Sequence, residues 1–324
     1  IIDQDFLKLK TTSEKHLKFL SDSLNQLENN LMKINCRLNI FQADTLDIFK
    51  MLINKFNITK VYSNKIIKGN FFSELDYNVE HLFKSQGINW VQTNQFGIQL
   101  KKRVRGKWSE NWRKFVNKPL IGRPRKTKYI FVNKKYSLLQ KNSCIQNGGE
   151  DSALKLLKSF LEKRHYNYSK KISSPLSAEN TCSRLSTHLS FGTVSIKNIN
   201  SSLNKILTSD SYIDKVSLFS FKKRLAWHCH FIQKFYDQPS IESKNLHPSY
   251  DGLREDDFDE VKFSKWKSGN TGFPFLDACI RYLNQNGWIN FRMRAMIVSF
   301  ASYQLWLDWR ITSKYLAKNF TDYE

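Results

Sequence analysis

Four groups of residues in this 324-residue chain are of types that do chemistry. The segment Cys182-Ser183-Arg184-Leu185-Ser186-Thr187-His188-Leu189 places small hydroxyls and a guanidinium at the start of a helical pattern. Hydroxyls and backbone N–H groups at such a start bind phosphate oxygens. Taken alone, a serine pair at this spacing reads first as a helix cap. His228, Cys229 and His230 are metal-ligand types. Residues i and i+2 face apart on a helix, and no other ligand stands at a suitable spacing, so no metal site is expected. Arg294 sits at the mouth of a long apolar stretch. Of eight tryptophans, five fall between Trp227 and Trp309. Large rings fill cores, and they also line sites for planar cofactors or relay electrons.

The elements that must position these groups centre on Trp266 to Arg310. Gly269, Thr271, Gly272 and Pro274 predict a turn leading into a helix. Phe275, Ala278, Cys279 and Tyr282 then form an apolar stripe at i, i+3, i+4, i+7, and Asp277 and Arg281 are spaced to pair on the other face. Gly287 ends that helix. A second helix is predicted from about Asn290 to Arg310, uncharged between Ala295 and Leu307, too short to span a bilayer and so read as a buried core helix. Upstream, residues 151–168 and the stretch Leu218 to Tyr236 read as amphipathic helices.

The first part of the chain has another rhythm. Leu17, Leu20, Leu24, Leu27 and Leu31 mark one helix, and Leu38, Ile40 and Phe41 a short strand. Asp44 caps a second helix that turns Leu46, Phe49, Leu52, Ile53 and Phe56 inward. Lys60–Asn64 and Ile88–Thr93 read as strands around a helix over 73–86. Strand and helix in alternation predict a parallel sheet covered by helices. Residues 97–128 are strongly basic. The Gly122-Arg123-Pro124 core within them resembles an A·T-hook, although a solvated linker explains it better. Residues 126–150 are read as a linker between units at 1–125 and 151–324.

The net charge of +23 points to a polyanionic partner, nucleic acid first. Five cysteines without C-x-x-C spacing argue against a disulfide framework and for a reducing, cytoplasmic setting. No signal peptide and no apolar run long enough for a membrane span is found. A start at Ile1 and an end at Asp322-Tyr323-Glu324 read as cuts in a longer protein.

The pattern W-x-x-G-x-T-G-x-P-x-x-D-A-x-x-R-x-L-x-x-x-G-W from Trp266, followed by R-x-R and D-W-R, resembles the flavin domain of the DNA photolyase and cryptochrome family. The resemblance reaches back to Ser183 and is weaker over the first 120 residues. It implies an α/β N-terminal domain with a Rossmann-like parallel sheet, and an all-α FAD-binding domain after it. The family's opening strand and its W-F-R-x-D-L-R segment have no counterpart, and its R-D pair appears as Leu75-Asp76. No antenna residues are therefore expected, and the identity of any second chromophore is left open.

Carried over position by position, the resemblance assigns cofactor binding to Tyr168 (with Tyr166 as the alternative), Ser183, Arg184, Leu185, Ser186, His228, Asn290 and Arg294. Cys182 replaces a threonine of the phosphate segment. Trp227 and Trp309 are assigned to an electron relay, with Trp306 one turn away. Arg224 stands where the family has a carboxylate, His228 where it has an arginine, and Phe291 where it has an asparagine. An acidic flavin contact and the flavin-proximal relay tryptophan are expected downstream of Glu324. The implied function is blue-light-driven repair of pyrimidine photoproducts by electron transfer from reduced FAD, a carbon–carbon lyase activity on damaged DNA bound as a monomer without sequence reading. The alternative is a cryptochrome-like photoreceptor without repair activity. A basic nucleic-acid-binding module without flavin is the third class.

Overall fold

A computed structural model describes residues 1–100, 106–122, 124, 128–138, 146–209 and 213–324. Lys101, Lys102, Arg103, Arg105, Cys144 and the arginines flanking Pro124 lie outside these, and so does the A·T-hook reading. The chain begins with α1 (Gln4–Lys8) and α2 (Glu14–Met32), then β1 (Ile40–Phe41), α3 (Thr45–Lys55), β2 (Lys60–Lys65), α4 (Gly69–Ser85) and β3 (Asn89–Asn94). After α5 (Trp108–Val116) and β4 (Lys134–Lys135) the described elements are helical: α6 (Glu150–Ser159), α7 (Tyr168–Lys171), α8 (Pro175–Thr181), α9 (Ser186–Ser190), α10 (Ile196–Leu207) and α11 (Lys215–Asp237). They continue as α12 (Glu260–Ser268), α13 (Pro274–Asn286), α14 (Phe291–Ser299) and α15 (Trp309–Asn319). None is long and apolar enough to cross a membrane. This is the expected order, an α/β part followed by an all-α part.

All described strand pairs are parallel. β2 pairs with β3 from Lys60–Asn89 to Lys65–Asn94. β1 pairs with β4 on one side and makes a bridge from Gln42 to Ile2 on the other. β4 lies inside the stretch read as a linker. That stretch returns to the first sheet because Asn39 accepts from the Val132 and Asn133 amides and donates to the Ile130 carbonyl. Tyr136 and Leu138 then pack with Ile2 and Ile40. Tyr-and-Leu spacing over two paired residues is too short a period to mark a strand.

Asp44 does cap α3, accepting from the Asp47 amide at 2.9 Å. On α2 the leucine stripe is only half the story. Leu17, Leu20 and Leu24 face the first sheet, whereas Leu27 is exposed. Phe19, fully buried, faces the helical part and touches His188 and Phe191. Gly148 and Gly149 dock against the same helix. A Cβ at Gly148 would meet the Phe19 carbonyl oxygen at 2.3 Å, and Gly149 has φ +96°, so neither position accepts a larger residue without movement.

The helical part holds two large cores. One joins α5 to α6–α11 and includes Phe96, Ile98 and Trp112, so packing does not break at residue 125. The other is built on Trp266 and α13–α15. Here the expected stripe of α13 is one residue out of phase. Leu276, Cys279, Ile280 and Leu283 are buried, and Phe275 is more than half exposed. Both sets satisfy i, i+3, i+4, i+7, so periodicity alone could not choose between them. Asp277 and Arg281 do not form the expected pair. Asp277 turns back and accepts from the Thr271 amide and hydroxyl and the Gly272 amide, while Arg281 donates to the Gly269 carbonyl. The turn demanded these partners more than the helix surface did.

The helix predicted over 290–310 is also two helices. After α14 the chain makes a wider π-type turn at Phe300–Gln304, and Trp306 takes φ +61°. Asp308 then caps α15 through the Arg310 amide. A tryptophan in the left-handed region is uncommon, and no sequence pattern announces it. Polar ties join the two parts of the chain. Lys15 donates to Asn284 O and Asn319 Oδ1, and His16 Nε2 donates to Phe320 O at 2.8 Å. A cavity of about 300 Å³ lies along this seam, bordered by Lys68, Phe71, Phe72, Phe191 and Tyr323.

Candidate functional site

The segment from Thr181 to Ser186 forms a corner between two short helices. Pro175 opens α8, the chain is extended at Cys182, Arg184 takes φ +62°, and α9 starts at Ser186. At five residues, α9 aligns few peptide dipoles, so charge at this corner comes mainly from side chains. Three guanidinium groups, those of Arg184, Arg164 and Arg294, act on the buried Cys182 thiol. Burial raises that thiol to about 11 and the arginines pull it down, so Cys182 is a neutral thiol at this corner.

Arg164, which no motif pointed to, fixes the corner's backbone. It donates to the Cys182 and Ser183 carbonyls, to Leu156 O at 2.8 Å and through Nε to Ser159. Arg184 lies 4.0 Å over the Trp288 ring and reaches Glu179 at 3.2 Å, while its Nε is buried without a partner. Ser183 Oγ accepts from the Leu185 amide, and Leu185 is buried.

Arg294 approaches from α14. Its Nε donates to Ile289 O at 2.8 Å, and its two terminal nitrogens grip Asp322 at 3.1 and 2.7 Å. Burial alone would raise the Asp322 carboxyl; Arg294 and the Ser186 hydroxyl outweigh it and hold the group below the usual range. Asn290 is 2% exposed. Its amide donates to Ile172 O at 3.0 Å and its Oδ1 has no partner. Ile172 is in turn bonded to Tyr168 O. Tyr168 is buried against Phe160 and Phe221, and burial raises its phenol. It lies near enough to Cys182 and Arg224 to feel both, which favours it over Tyr166, whose ring stands on His165.

The structure therefore brings Tyr168, Ser183, Arg184, Leu185, Ser186, Asn290 and Arg294 to one corner through three links: Tyr168–Ile172–Asn290, Arg184–Trp288 and Ser186–Asp322–Arg294. The other assigned residues stand elsewhere. His228 Nε2 contacts Glu324. Burial, the largest single influence, would lower this imidazole, but the Glu324 charge together with Cys229 and the hydrogen bond to Glu324 outweighs it and raises the group to about 10. Trp227 is 52% exposed on the outside of α11 beside His230 and Phe231. Trp309 donates to Asn245 Oδ1 at 2.8 Å in another surface pocket. Arg224 points outward, 5.6 Å from the exposed Phe291 ring. Trp288 and Asp322 were missed, although Trp288 closes the G-W pair of the central pattern.

The donor set leaves a net positive charge at this corner, which suits an anionic ligand. Cationic groups outnumber carboxylates, an indole is already stacked under Arg184, and two buried polar atoms, Arg184 Nε and Asn290 Oδ1, lack protein partners. Comparison with known proteins agrees. The family described as DNA photolyase matches residues 1–96, and the FAD binding domain of DNA photolyase matches residues 221–324. The chain belongs to the DNA photolyase/cryptochrome family. Among its relatives is a deoxyribodipyrimidine photo-lyase of Alkalihalophilus pseudofirmus, 32% identical over 54% of this chain and 35% of that protein. Cryptochrome-2 of Gallus gallus is 24% identical over 95% of this chain and 58% of that one. A bacterial class III photolyase from Agrobacterium tumefaciens shares the fold with a TM-score of 0.80 at 21% identity, covering 96% of this chain and 68% of that one. An archaeal photolyase from Sulfolobus tokodaii, solved with two FAD molecules, gives 0.78 at 24% identity, covering 100% and 72%. The matched stretch thus spans about a third of the length of the curated photo-lyases.

Proposed function

We propose that this chain is the FAD-holding part of a blue-light-driven photolyase that repairs pyrimidine photoproducts in DNA. The observation that carries the reading is the Cys182–Ser186 corner, ringed by Arg164, Arg184 and Arg294 and left with two unpartnered buried polar atoms. When bound, FAD supplies the light absorption and the transferable electron. The protein's own residues do the rest. Arg184 and Ser183 meet phosphate oxygens, and Trp288 fixes the plane of Arg184. Asn290 offers its free Oδ1 as an acceptor. Asp322 keeps Arg294 in place, so that one cation remains near the site whether or not it is loaded. Tyr168 closes the floor as a neutral phenol. Trp227 and Trp309 are the proposed relay tryptophans, and His228 contributes its charge at the rim.

The flavin unit is proposed to be 151–324 and the α/β unit 1–125, with α5 and β4 crossing between them. A monomer inside the cell, bound to DNA through phosphates rather than base edges, completes the reading. A cryptochrome-like photoreceptor is the second reading. Arg224 in place of a carboxylate and a match to a cryptochrome that covers 95% of this chain favour it. One experiment separates them. The chain is loaded with FAD, reduced, and illuminated with oligonucleotides carrying either a cyclobutane dimer or a 6-4 product. Restored bases in either substrate mean repair. If the oxidised flavin band of the loaded chain bleaches under blue light with an electron donor present, but the reduced chain restores no base, the chain is a photoreceptor. A colourless chain that retains no FAD sinks both.

A further inference from the structure

The loop that carries Asp322 is held from the α/β part on both sides. His16 Nε2 of α2 donates to Phe320 O at 2.8 Å, two residues before Asp322. Lys68, immediately before α4, donates through Nζ to Tyr323 O at 2.6 Å, one residue after it. Ser190 of α9 donates to the same carbonyl at 3.1 Å, and the Thr321 amide donates to Gly287 O at 2.9 Å. Gly287 in turn precedes Trp288, the ring under Arg184. Anchored this way, the Asp322 carboxylate has little freedom, and it grips both terminal nitrogens of Arg294. Lys68 thus reaches the corner in three links: to Tyr323, along the chain to Asp322, and across to Arg294.

The Lys68 ammonium lies 5.3 Å from the Tyr323 ring and 5.9 Å from the Phe191 ring. Burial lowers it to about 8, with the Glu324 and Asp322 charges opposing. The other charged and titratable groups that face it across the seam cavity are Lys10 between α1 and α2, His16 of α2, Glu242 after α11, Lys314 of α15 and the Tyr323 phenol. Lysines in an unfolded chain titrate near about 10.4. The folded chain gives up this proton earlier, so holding the charged form costs the fold stability at neutral pH. Stabilising the seam does not account for such a charge. Its contacts do. A charged donor makes a hydrogen bond roughly twice as strong as a neutral one, and only the ammonium is drawn to the two ring faces.

We propose that Lys68 is a positioning residue for the FAD corner: through the Tyr323 carbonyl its ammonium fixes the Asp322 loop, and with it the Arg294 guanidinium, from the other part of the chain. The inference rests on the reading of that corner as the FAD site. It makes FAD affinity and fold stability move in opposite directions with pH. Affinity is held below about pH 8 and falls as pH rises through it, because Lys68 loses its proton. Over the same window the unfolded chain binds a proton that the folded chain has released, so the stability due to this group rises with pH.

The test compares the original chain with Lys68→Met, Lys68→Arg and Lys314→Met, the last removing an exposed lysine that borders the same cavity. FAD dissociation constants are read from flavin fluorescence between about pH 7 and 9, clear of His16 at about 4 and His228 at about 10. At the lower end Lys68→Met should weaken FAD binding roughly tenfold or more, while its urea midpoint stays the same or rises. The original chain should lose at most about tenfold for each pH unit above the Lys68 step. Lys68→Met should show no step, and Lys68→Arg, which stays charged, should keep its affinity across the window. Lys314→Met should behave like the original chain. Hydrogen exchange on the chain without FAD gives a second reading: Lys68→Met should speed exchange over residues 287–294 and 320–324 and leave α10 unchanged. The proposal is overturned if Lys68→Met binds FAD like the original chain, if its affinity falls only as far as its urea midpoint does, or if Lys68→Arg behaves like Lys68→Met. An original chain that takes up no FAD defeats the FAD reading and leaves the decision to exchange, where equal rates over 287–294 and 320–324 with and without Lys68 overturn the positioning role.

Discussion

The α/β part and the helical part are stabilised differently. The helical part has two extended cores, one with fully buried Phe160, Ile199, Leu203 and Leu218, the other with Trp266, Ile280, Leu283 and Ile297. The α/β part has two small clusters, one around Ile2, Ile40 and Leu138 and one around Val79, Phe83 and Ile88, with most of their neighbours only half buried. Its strands span two to six residues. Small cores stabilise little by themselves. The α/β part makes up the difference by attachment, through Lys15, His16 and Phe19 of α2 and through Lys68, whose Nζ donates to Tyr323 O at 2.6 Å. Site chemistry sits in the part with its own core, and the other part leans on it.

The largest effect should come from cutting the tie that holds the site together. Arg294→Ala strands the Asp322 carboxylate, which is nearly inaccessible, and should cost about 3–5 kcal/mol in urea unfolding. Replacing both partners with apolar residues should cost much less. If the single variant unfolds no earlier than the original chain, the helical part is not organised around this pair.

The seam between the parts should respond to acid. His16 Nδ1 accepts from the Ser13 amide at 3.1 Å, so Nε2 carries the proton it gives to Phe320, and the ring is neutral. Burial lowers His16 to about 4, with the Phe320 carbonyl and Asp322 opposing and Lys68 and Lys15 assisting, and burial likewise lowers His188 to about 4. Unfolded histidines titrate near 6.5. The unfolded chain thus takes up protons that the folded chain refuses, and stability present above about pH 6.5 is lost as pH falls towards 4. A loss on the order of a few kcal/mol is expected over that window, and His16→Gln should flatten part of it. A flat profile between pH 7 and 4 would mean that both rings protonate without opening the seam.

One substitution made in both parts sharpens the contrast directly. Ile→Val costs about 0.5–1.5 kcal/mol depending on how well the site collapses. Ile280→Val should fall at the upper end and Ile40→Val at the lower, read from denaturant midpoints. Equal costs would mean the first cluster is as tightly packed as the second core. The smallest effect belongs to the surface. Lys84→Ala removes a pair with Glu80 in which both side chains are more than half exposed, and should change stability by no more than about 0.5 kcal/mol.

The sequence disclosed the order of elements better than it disclosed their contacts. Asp44 was legible because a cap is a local device, complete within four residues. The phase of α13 was not, since two stripes one residue apart both satisfy the period, and only Trp266 and α14 decide which is buried. The break at Phe300–Trp306 was hidden because an apolar run stays apolar whether the helix continues or turns. Asp277 and Arg281 had helix spacing, but the nearby turn had unpaired amides and won the carboxylate. Arg164 left no signal because it works on backbone carbonyls, which any sequence supplies.

The pairing of β1 with β4 joins Ile40 to Lys134. For a chain being made on the ribosome, that distance is a delay. At roughly 5–20 residues per second, one edge of β1 waits on the order of 5–20 s for its partner to be synthesised. Through that interval Ile40 and Phe41 present an open hydrogen-bonding edge, the kind that pairs with other copies. Trp112, made in between, waits longer still for α11. Production of this protein should therefore be limited by what shields the nascent α/β segment, and slowing translation before residue 134 should lower the soluble yield more than slowing it after residue 237.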